Sequence, residues 1–352
     1  RSHGEDSLYP EWSDRMSTLE NRRVILADRP KGVPGPEFFK LETADALEPG
    51  DGEFLIHNKF LSVDPAMRGW VNDAPNYSPP VPVGDVMRAF AVGEVVKSNN
   101  PDFTEGEIVS GLFGWQRYAV STGANVMTRM TDINQSPSYA LGILGLNGIT
   151  AYCGLLFQGE PNAGETVVVS TAAGSVGSCV GQIAKIKGCR TVGITGGPEK
   201  VQQCVDEFGY DVALDYKNTD DLSTAIADAC PDGAHVYFDN TCGPMSDAVM
   251  ENLGMKARVI ICGTAAVTDW DPVPIGPRVH RQLLVNRARM SGLLIFDYKD
   301  RYDEAVKQLS KWIDEGKIQV REHILDGMDY APSAIQMLYK GENQGKLLIK
   351  VD

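Results

Sequence analysis

Thr171-Ala172-Ala173-Gly174-Ser175-Val176-Gly177 is the segment of this chain whose residue types best suit holding a phosphorylated ligand. It follows a Val-rich run, Thr166 to Ser170, and precedes Val176, Cys179, Val180, Ile183 and Ala184 at helical spacing. Glycines in a strand-to-helix turn let backbone amides approach a pyrophosphate, which then sits on the positive end of the helix. Ala172 stands where a full G-x-G-x-x-G has its first glycine, so the bare pattern is incomplete and a ligand-free turn is the competing reading. The strand–turn–helix setting, followed by further such units, favours a dinucleotide. A second charge cue selects which one. NAD sites place an acid about 20 residues beyond the glycines to accept from the ribose hydroxyl. Here the next strand, Thr191 to Thr195, runs into Gly196-Gly197-Pro198-Glu199-Lys200 with no acid at its end. Glu199, one turn into the helix, suits a solvated face. Lys200 offers a charge to a 2′-phosphate, against the plainer reading of an ordinary surface lysine. NADPH is favoured over NADH.

Other chemistries find less support. No G-x-S-x-G elbow or H-E-x-x-H occurs. None of the five histidines is paired at metal-ligand spacing, and all seven cysteines lie between Cys153 and Cys262. Cys179, Cys204 and Cys262 fall on apolar faces and read as small core fillers rather than nucleophiles. No metal is expected.

The elements that must position these residues divide the chain in two. Up to about Thr150 it is rich in Pro and Gly, with short strand-like runs at Phe54 to Ile56, Ala91 to Val96, Glu107 to Gly111 and Tyr118 to Val120. Beyond Thr150 strands and helices alternate. Strands fit Val212 to Leu214, Val236 to Asp239, Val259 to Cys262 and Met290 to Ile295. A helix with Pro198 in its first turn carries Val201, Cys204, Val205 and Phe208, and Tyr302, Val306, Leu309 and Ile313 form a last helical stripe before Gly316. Such alternation specifies a doubly wound parallel sheet, an α/β fold. From about Leu325 short mixed elements return, ending in the strand-like Lys346 to Val351.

Composition bounds the partners. The 352 residues are about two domains' worth, and 43% hydrophobic content supports full cores. A net charge of −14 repels phosphate backbones and anionic lipid, which argues against nucleic acid or a membrane surface as a partner. No run approaches the ~18 apolar residues of a membrane span. The opening residues lack the apolar middle of a signal peptide and read as a tail, and an odd, clustered set of cysteines suits a reducing cytoplasm.

Several motifs, in matching order and spacing from about Asn21 to Val351, resemble a known family. They are Arg29-Pro30-Lys31-Gly32, Leu61-Ser62-Val63-Asp64-Pro65-Ala66-Met67-Arg68-Gly69, Gly148-Ile149-Thr150-Ala151-Tyr152, Ala172 to Ser178, Phe238-Asp239-Asn240, Ile261-Cys262-Gly263 and Gly341-Glu342-Asn343-Gln344-Gly345-Lys346. The chain resembles the zinc-independent branch of the medium-chain dehydrogenase/reductase superfamily, in its group of NADPH-dependent alkenal double-bond reductases. The resemblance implies a tail over 1–15, a discontinuous β-rich, GroES-like catalytic domain over 16–145 and 325–352, and a Rossmann dinucleotide-binding domain over 146–324. It also implies a homodimer. By position, Gly174, Ser175, Val176 and Gly177 would hold the pyrophosphate, and Lys200 and Tyr216 the 2′-phosphate. Asn240, the run Cys262-Gly263-Thr264 to Thr268, the residues Leu293, Leu294 and Ile295, and Asn343 would make other cofactor contacts, with Thr150 near the nicotinamide. For Asn240 and Asn343 a turn-forming side chain is the alternative.

Zinc-dependent relatives carry a His-containing motif where Gly84-Asp85-Val86-Met87 stands here, so zinc is not expected. Without that Lewis acid, alcohol–carbonyl interconversion is disfavoured and reduction of a double bond conjugated to a carbonyl becomes the natural reaction. The expected function is NADPH-dependent reduction of α,β-unsaturated aldehydes or ketones, with hydride delivered to the β-carbon. A quinone reductase and a non-catalytic NADPH-binding protein are the alternatives. Family tyrosines are replaced by Ala66 and Val285, and another aligns near Thr268, which leaves Tyr77 in Asn76-Tyr77-Ser78-Pro79-Pro80 as the candidate proton donor. A loop tyrosine packing its ring on the surface is the rival reading of Tyr77.

Overall fold

The structure is a computed structural model that describes residues 16–352 apart from 75, 268 and 269, and omits the side chains of 16 and 17. The tail expected over 1–15 lies outside the described residues. The chain divides into two compact units, the first holding residues up to 132 with 325–336 and 349–352, the second 133–324 with 337–348.

In the first unit the strands are β1 (Met16–Leu26), β2 (Phe39–Leu47) and β3 (Phe54–Ser62), then helix α1 (Ala66–Val71), then β4 (Ala91–Ser98), β5 (Ile108–Gly111), β6 (Tyr118–Ser121) and β7 (Val126–Arg129). β1 and β2 form an antiparallel ribbon. β3, β4, β5 and β7 follow one another in an antiparallel sheet, with β6 also on β3. The expected short strands correspond to β3 to β6, with β5 starting at Ile108 rather than Glu107. β1 and β2 carry no clean alternation in the sequence that would predict them. Phe54, Leu55, Ile56, Leu61 and Trp115 are fully buried, and the Trp115 indole donates to the Ser62 carbonyl at 2.9 Å. That bond satisfies the indole's one polar group inside an apolar core.

The second unit opens with α2 (Leu146–Cys153), which continues into a π-helical turn over Gly154–Gly159. Then alternate β8 (Thr166–Ser170), α3 (Ser175–Ile186), β9 (Arg190–Thr195), α4 (Pro198–Asp206), β10 (Val212–Asp215), α5 (Leu222–Ala229), β11 (Ala234–Asp239), α6 (Gly243–Met250), β12 (Leu253–Ile261), α7 (His280–Asn286), β13 (Arg289–Gly292) and α8 (Tyr302–Asp314). The chain ends in β14 (Glu322–Asp326), α9 (Ala331–Lys340) and β15 (Lys346–Lys350), whose residues are divided between the two units.

Six strands form one parallel sheet in the order β10-β9-β8-β11-β12-β13. All five residues of β8 are buried, as a central parallel strand covered on both faces requires. Each fully buried valine there contributes about 1.5–3 kcal/mol. The chain leaves β8 toward β9 on one side and later returns to β11 on the other. The carboxyl ends of β8 and β11 therefore flank the topological switch point, where open α/β sheets form their ligand crevice.

The segment before α2 is tied to later elements: Gln135 bonds Asp314 (2.7 Å) and Ser310 (3.0 Å), and Ser138 donates to Glu322 at 2.8 Å, so the second unit begins at Ile133. A further element boundary differs from expectation. The strand expected over Met290 to Ile295 stops at Gly292, and a 3-10 turn begins at Ile295.

Candidate functional site

The turn after β8 is held by its own backbone. Ala172 N–H donates to Ile194 O at 3.1 Å and Gly174 N–H to Thr171 O at 2.9 Å, with Thr171 in the left-handed region at φ 53°. α3 then starts at Ser175 behind Gly174, with no side-chain cap. A helix start leaves its first amide hydrogens without intrahelical acceptors, and these point at whatever sits before it. A Cβ on Gly177 would lie 2.2 Å from the Thr171 carbonyl oxygen, so only glycine lets the helix cross the turn this closely. The buried Tyr210 hydroxyl donates to Gly177 O at 2.6 Å and fixes that crossing from below. Ala172 is accommodated where a glycine is usual because residue 193 on the neighbouring strand is glycine. A Cβ there would meet the Ala172 methyl at 2.7 Å.

On the far side of the switch point sits a fully buried carboxylate, Asp239 at the end of β11. One of its oxygens accepts from the N–H of Thr241 (2.9 Å) and of Cys242 (2.8 Å), and the other from the Ser246 hydroxyl (2.7 Å). Ser170 at the end of β8 reaches it at 3.4 Å, and the same hydroxyl accepts Asn240 N–H at 2.8 Å. The Asn240 amide also donates to Ser170 O at 2.8 Å. The Asp239 carbonyl accepts from Cys262 (2.8 Å) and Gly263 (3.1 Å). One residue thus ties together the ends of β8, β11 and β12. Its charge is met by N–H and O–H donors at the start of α6, the favourable end of a helix for an anion.

A second cluster lies at the ends of β9 and β10. Lys200 is half-buried and its Nζ donates to the Gly341 carbonyl at 2.9 Å. Burial, and then the Lys217 charge, lowers the proton affinity of Lys200. The Tyr216 ring is exposed, while its N–H donates to Thr195 O at 3.0 Å. The Lys200–Gly341 bond joins this cluster to the loop of Asn343, which is buried and donates to Gly345 O at 2.7 Å.

Other expected site residues are placed as follows. Thr150 is buried on α2; Thr264 is half-buried and opens a turn closed by Val267 N–H at 3.0 Å. Leu293 N–H donates to Ile261 O at 2.9 Å; Leu293 and Ile295 are buried and Leu294 is half-buried. Thr268 lies outside the described residues. Tyr77 belongs to the first unit, is 55% exposed, and its N–H donates to the Asn76 side chain at 2.8 Å. In the same loop Arg88 holds Ser78 Oγ (2.9 Å) and Pro79 O (2.8 Å). Ala66 is half-buried at the start of α1 and Val285 exposed on α7.

Sequence reasoning passed over Asp239, Ser170 and Lys217. An acid ending an otherwise apolar strand was the available signal for Asp239. Cys179 and Cys204 are core, as expected, while Cys262 is only half-buried. Burial pushes the Cys204 thiol up to about 12 and raises Cys179 as well, which leaves both as protonated fillers at neutral pH. Among the described residues, no three or more His, Cys, Asp or Glu side chains group as metal ligands, and no helix is long and apolar enough to cross a membrane.

The arrangement fits a phosphorylated dinucleotide: an uncapped helix start at the switch point and paired lysines one strand away. A family model described as the N-terminal domain of oxidoreductase matches residues 22–128, and one described as zinc-binding dehydrogenase matches 175–311. NADPH-dependent curcumin reductase of Escherichia coli (strain K12) is 44% identical over 336 residues, covering 94% of this chain and 97% of that protein. Prostaglandin reductase 1 of Sus scrofa is 38% identical over 322 residues, 91% of this chain and 95% of its own. The crystal structure of CurA in complex with NADPH from Vibrio vulnificus superposes with a TM-score of 0.87 at 41% identity, covering 94% of this chain and 99% of that one. The chain therefore belongs to the medium-chain dehydrogenase/reductase superfamily, in the group of NADPH-dependent double-bond reductases that includes the curcumin and prostaglandin reductases.

Proposed function

We propose that this chain is an NADPH-dependent reductase of the carbon–carbon double bond in α,β-unsaturated aldehydes and ketones. The observation that carries the reading is the uncapped start of α3 behind Gly174, with Lys200 beyond it, in a chain 44% identical to a curcumin reductase. The amides of Ser175, Val176 and Gly177 take the pyrophosphate, and Lys200 and Tyr216 the 2′-phosphate. Asn240, Cys262 to Thr264, Thr268 and Asn343 line the cofactor, with Leu293 to Ile295 and Thr150 toward its nicotinamide.

When bound, NADPH supplies a hydride to the β-carbon of the conjugated system. Negative charge then gathers on the carbonyl oxygen, and a proton must reach the α-carbon. Tyr77 is the donor we assign, supported by its 55% exposure on a loop pinned by Arg88. Ala66 and Val285 remove two family tyrosines, which suits a pocket differing from that of the prostaglandin reductases. The reaction is read as independent of zinc, because the cysteines begin at Cys153 and Gly84-Asp85-Val86-Met87 contains no histidine.

A homodimer is supported by the edge of the parallel sheet. All four residues of β13 are exposed, and Val273, Ile275, Leu284, Val285 and Met290 form exposed apolar surface in the same part of the chain. An open edge strand with apolar neighbours is suited to pairing with a second copy. Seven free cysteines suit a reducing cytoplasm.

The test is NADPH oxidation with a panel of alkenals, enones and quinones, followed by product mass. Products heavier by two hydrogens with the carbonyl intact support the reading. Turnover of quinones alone would replace it with quinone reduction, and NADPH binding without turnover of any substrate would leave a binding protein.

A further inference from the structure

Two lysines approach one turn that supplies neither with an anion. Lys200 lies in the first turn of α4, and Lys217 follows the end of β10 by two residues. The Lys217 stem lies over Gly196: its Cε is 2.9 Å from where a Cβ on that glycine would sit, as is Cε1 of Tyr216. Lys200 approaches from α4 and rests on the Gly341 carbonyl.

The carboxylate of this turn is already committed. Asp215 accepts from Gly197 N–H (2.9 Å), from the backbone N–H of Lys217 (3.1 Å) and from the Asn218 side chain (2.7 Å). Those donors hold its carboxyl below the ordinary carboxylate range, Gly197 most of all. Among the described residues neither lysine ammonium forms an ion pair. Burial lowers the proton affinity of Lys200, and the Lys217 charge lowers it further. Two like charges beside a half-buried turn remain unfavourable until an anion joins them. A phosphate monoester, with charge near −2 at neutral pH and three acceptor oxygens, matches two ammonium groups.

We propose that Lys217 is a second reader of the cofactor's 2′-phosphate, sharing with Lys200 the discrimination between NADPH and NADH. This rests on the reading of the chain as NADPH-dependent. Gly196 is then the spacer of the subsite, because any side chain there would displace Tyr216 and Lys217 together.

Calorimetric titration of the cofactor-free protein with adenosine 2′,5′-bisphosphate and with adenosine 5′-monophosphate isolates the 2′-phosphate. Lys217→Gln should weaken the bisphosphate about fivefold to twentyfold, the range between an exposed ion pair and a charge-assisted hydrogen bond, and leave the monophosphate unchanged. Lys217→Arg should restore most of the affinity, and KM for NADPH should rise in Lys217→Gln while KM for NADH stays put. Equal loss for both probes, or none, would overturn the role of Lys217 provided Lys200→Ala still lost the bisphosphate selectively. If Lys200→Ala were equally silent, the 2′-phosphate reading of the whole turn would fall with it.

Discussion

The switch-point cradle and the Tyr77 loop are built on opposite principles. The cradle is backbone and buried carboxylate: Gly177 crossing Thr171, and Asp239 joining Ser170, Asn240 and Cys262. The loop is side chain and surface, with Tyr77 more than half exposed and Arg88 gripping Ser78 and Pro79. In the function proposed above, the cofactor falls to groups that mutation cannot easily alter without breaking the fold, and proton donation falls to a residue whose side chain can change at little cost to the core.

The contrast can be broken from either side. The largest effect is expected at Asp239. Asp239→Ala leaves the amides of Thr241 and Cys242 and the Ser246 hydroxyl without their acceptor, at ~1–3 kcal/mol for each buried group so orphaned. A sharp fall in thermal midpoint should accompany loss of NADPH binding. Asp239→Asn, isosteric but uncharged, should retain more of both, and unchanged affinity in Asp239→Ala would deny it any part in the cradle.

Tyr77→Phe should come next and act differently. Loss of a positioned acid lowers kcat by ~10²–10⁴-fold, with Kd for NADPH and thermal midpoint unaltered because the loop carries no core. Unchanged turnover would pass the proton to solvent. Lys200→Ala should be smaller again, raising KM for NADPH about tenfold or somewhat more, as loss of a charged hydrogen bond implies. KM for NADH should hold steady, and equal losses would show that Lys200 does not read the phosphate.

These expectations also mark what the sequence could reveal. Gly174 and Gly177 are legible because a close backbone approach demands glycine whatever the tertiary context. The place of Lys200 in the first turn of α4 is legible from Pro198 and the glycines before it, while its part in reading a phosphate is the proposal made above. The doubly wound sheet follows from periodicity, since buried runs such as Thr166 to Ser170 alternate with helical stripes. Asp239 was not legible in its role: Cys242 and Ser246 follow it closely, but Ser170 lies 69 residues earlier and meets it only across the sheet. Ala172 breaks the glycine pattern in the sequence, and the room for its methyl comes from Gly193 on the adjacent strand. The contacts of Gln135 with Asp314 and of Ser138 with Glu322 join residues far apart along the chain, which no local pattern encodes.

The most direct test of the account follows the hydride itself. NADPH deuterated at its transferable position should pass the label to the carbon β to an enone's carbonyl, with solvent hydrogen at the α-carbon. Deuterium on the carbonyl carbon of an alcohol product, or none in any product, would contradict double-bond reduction.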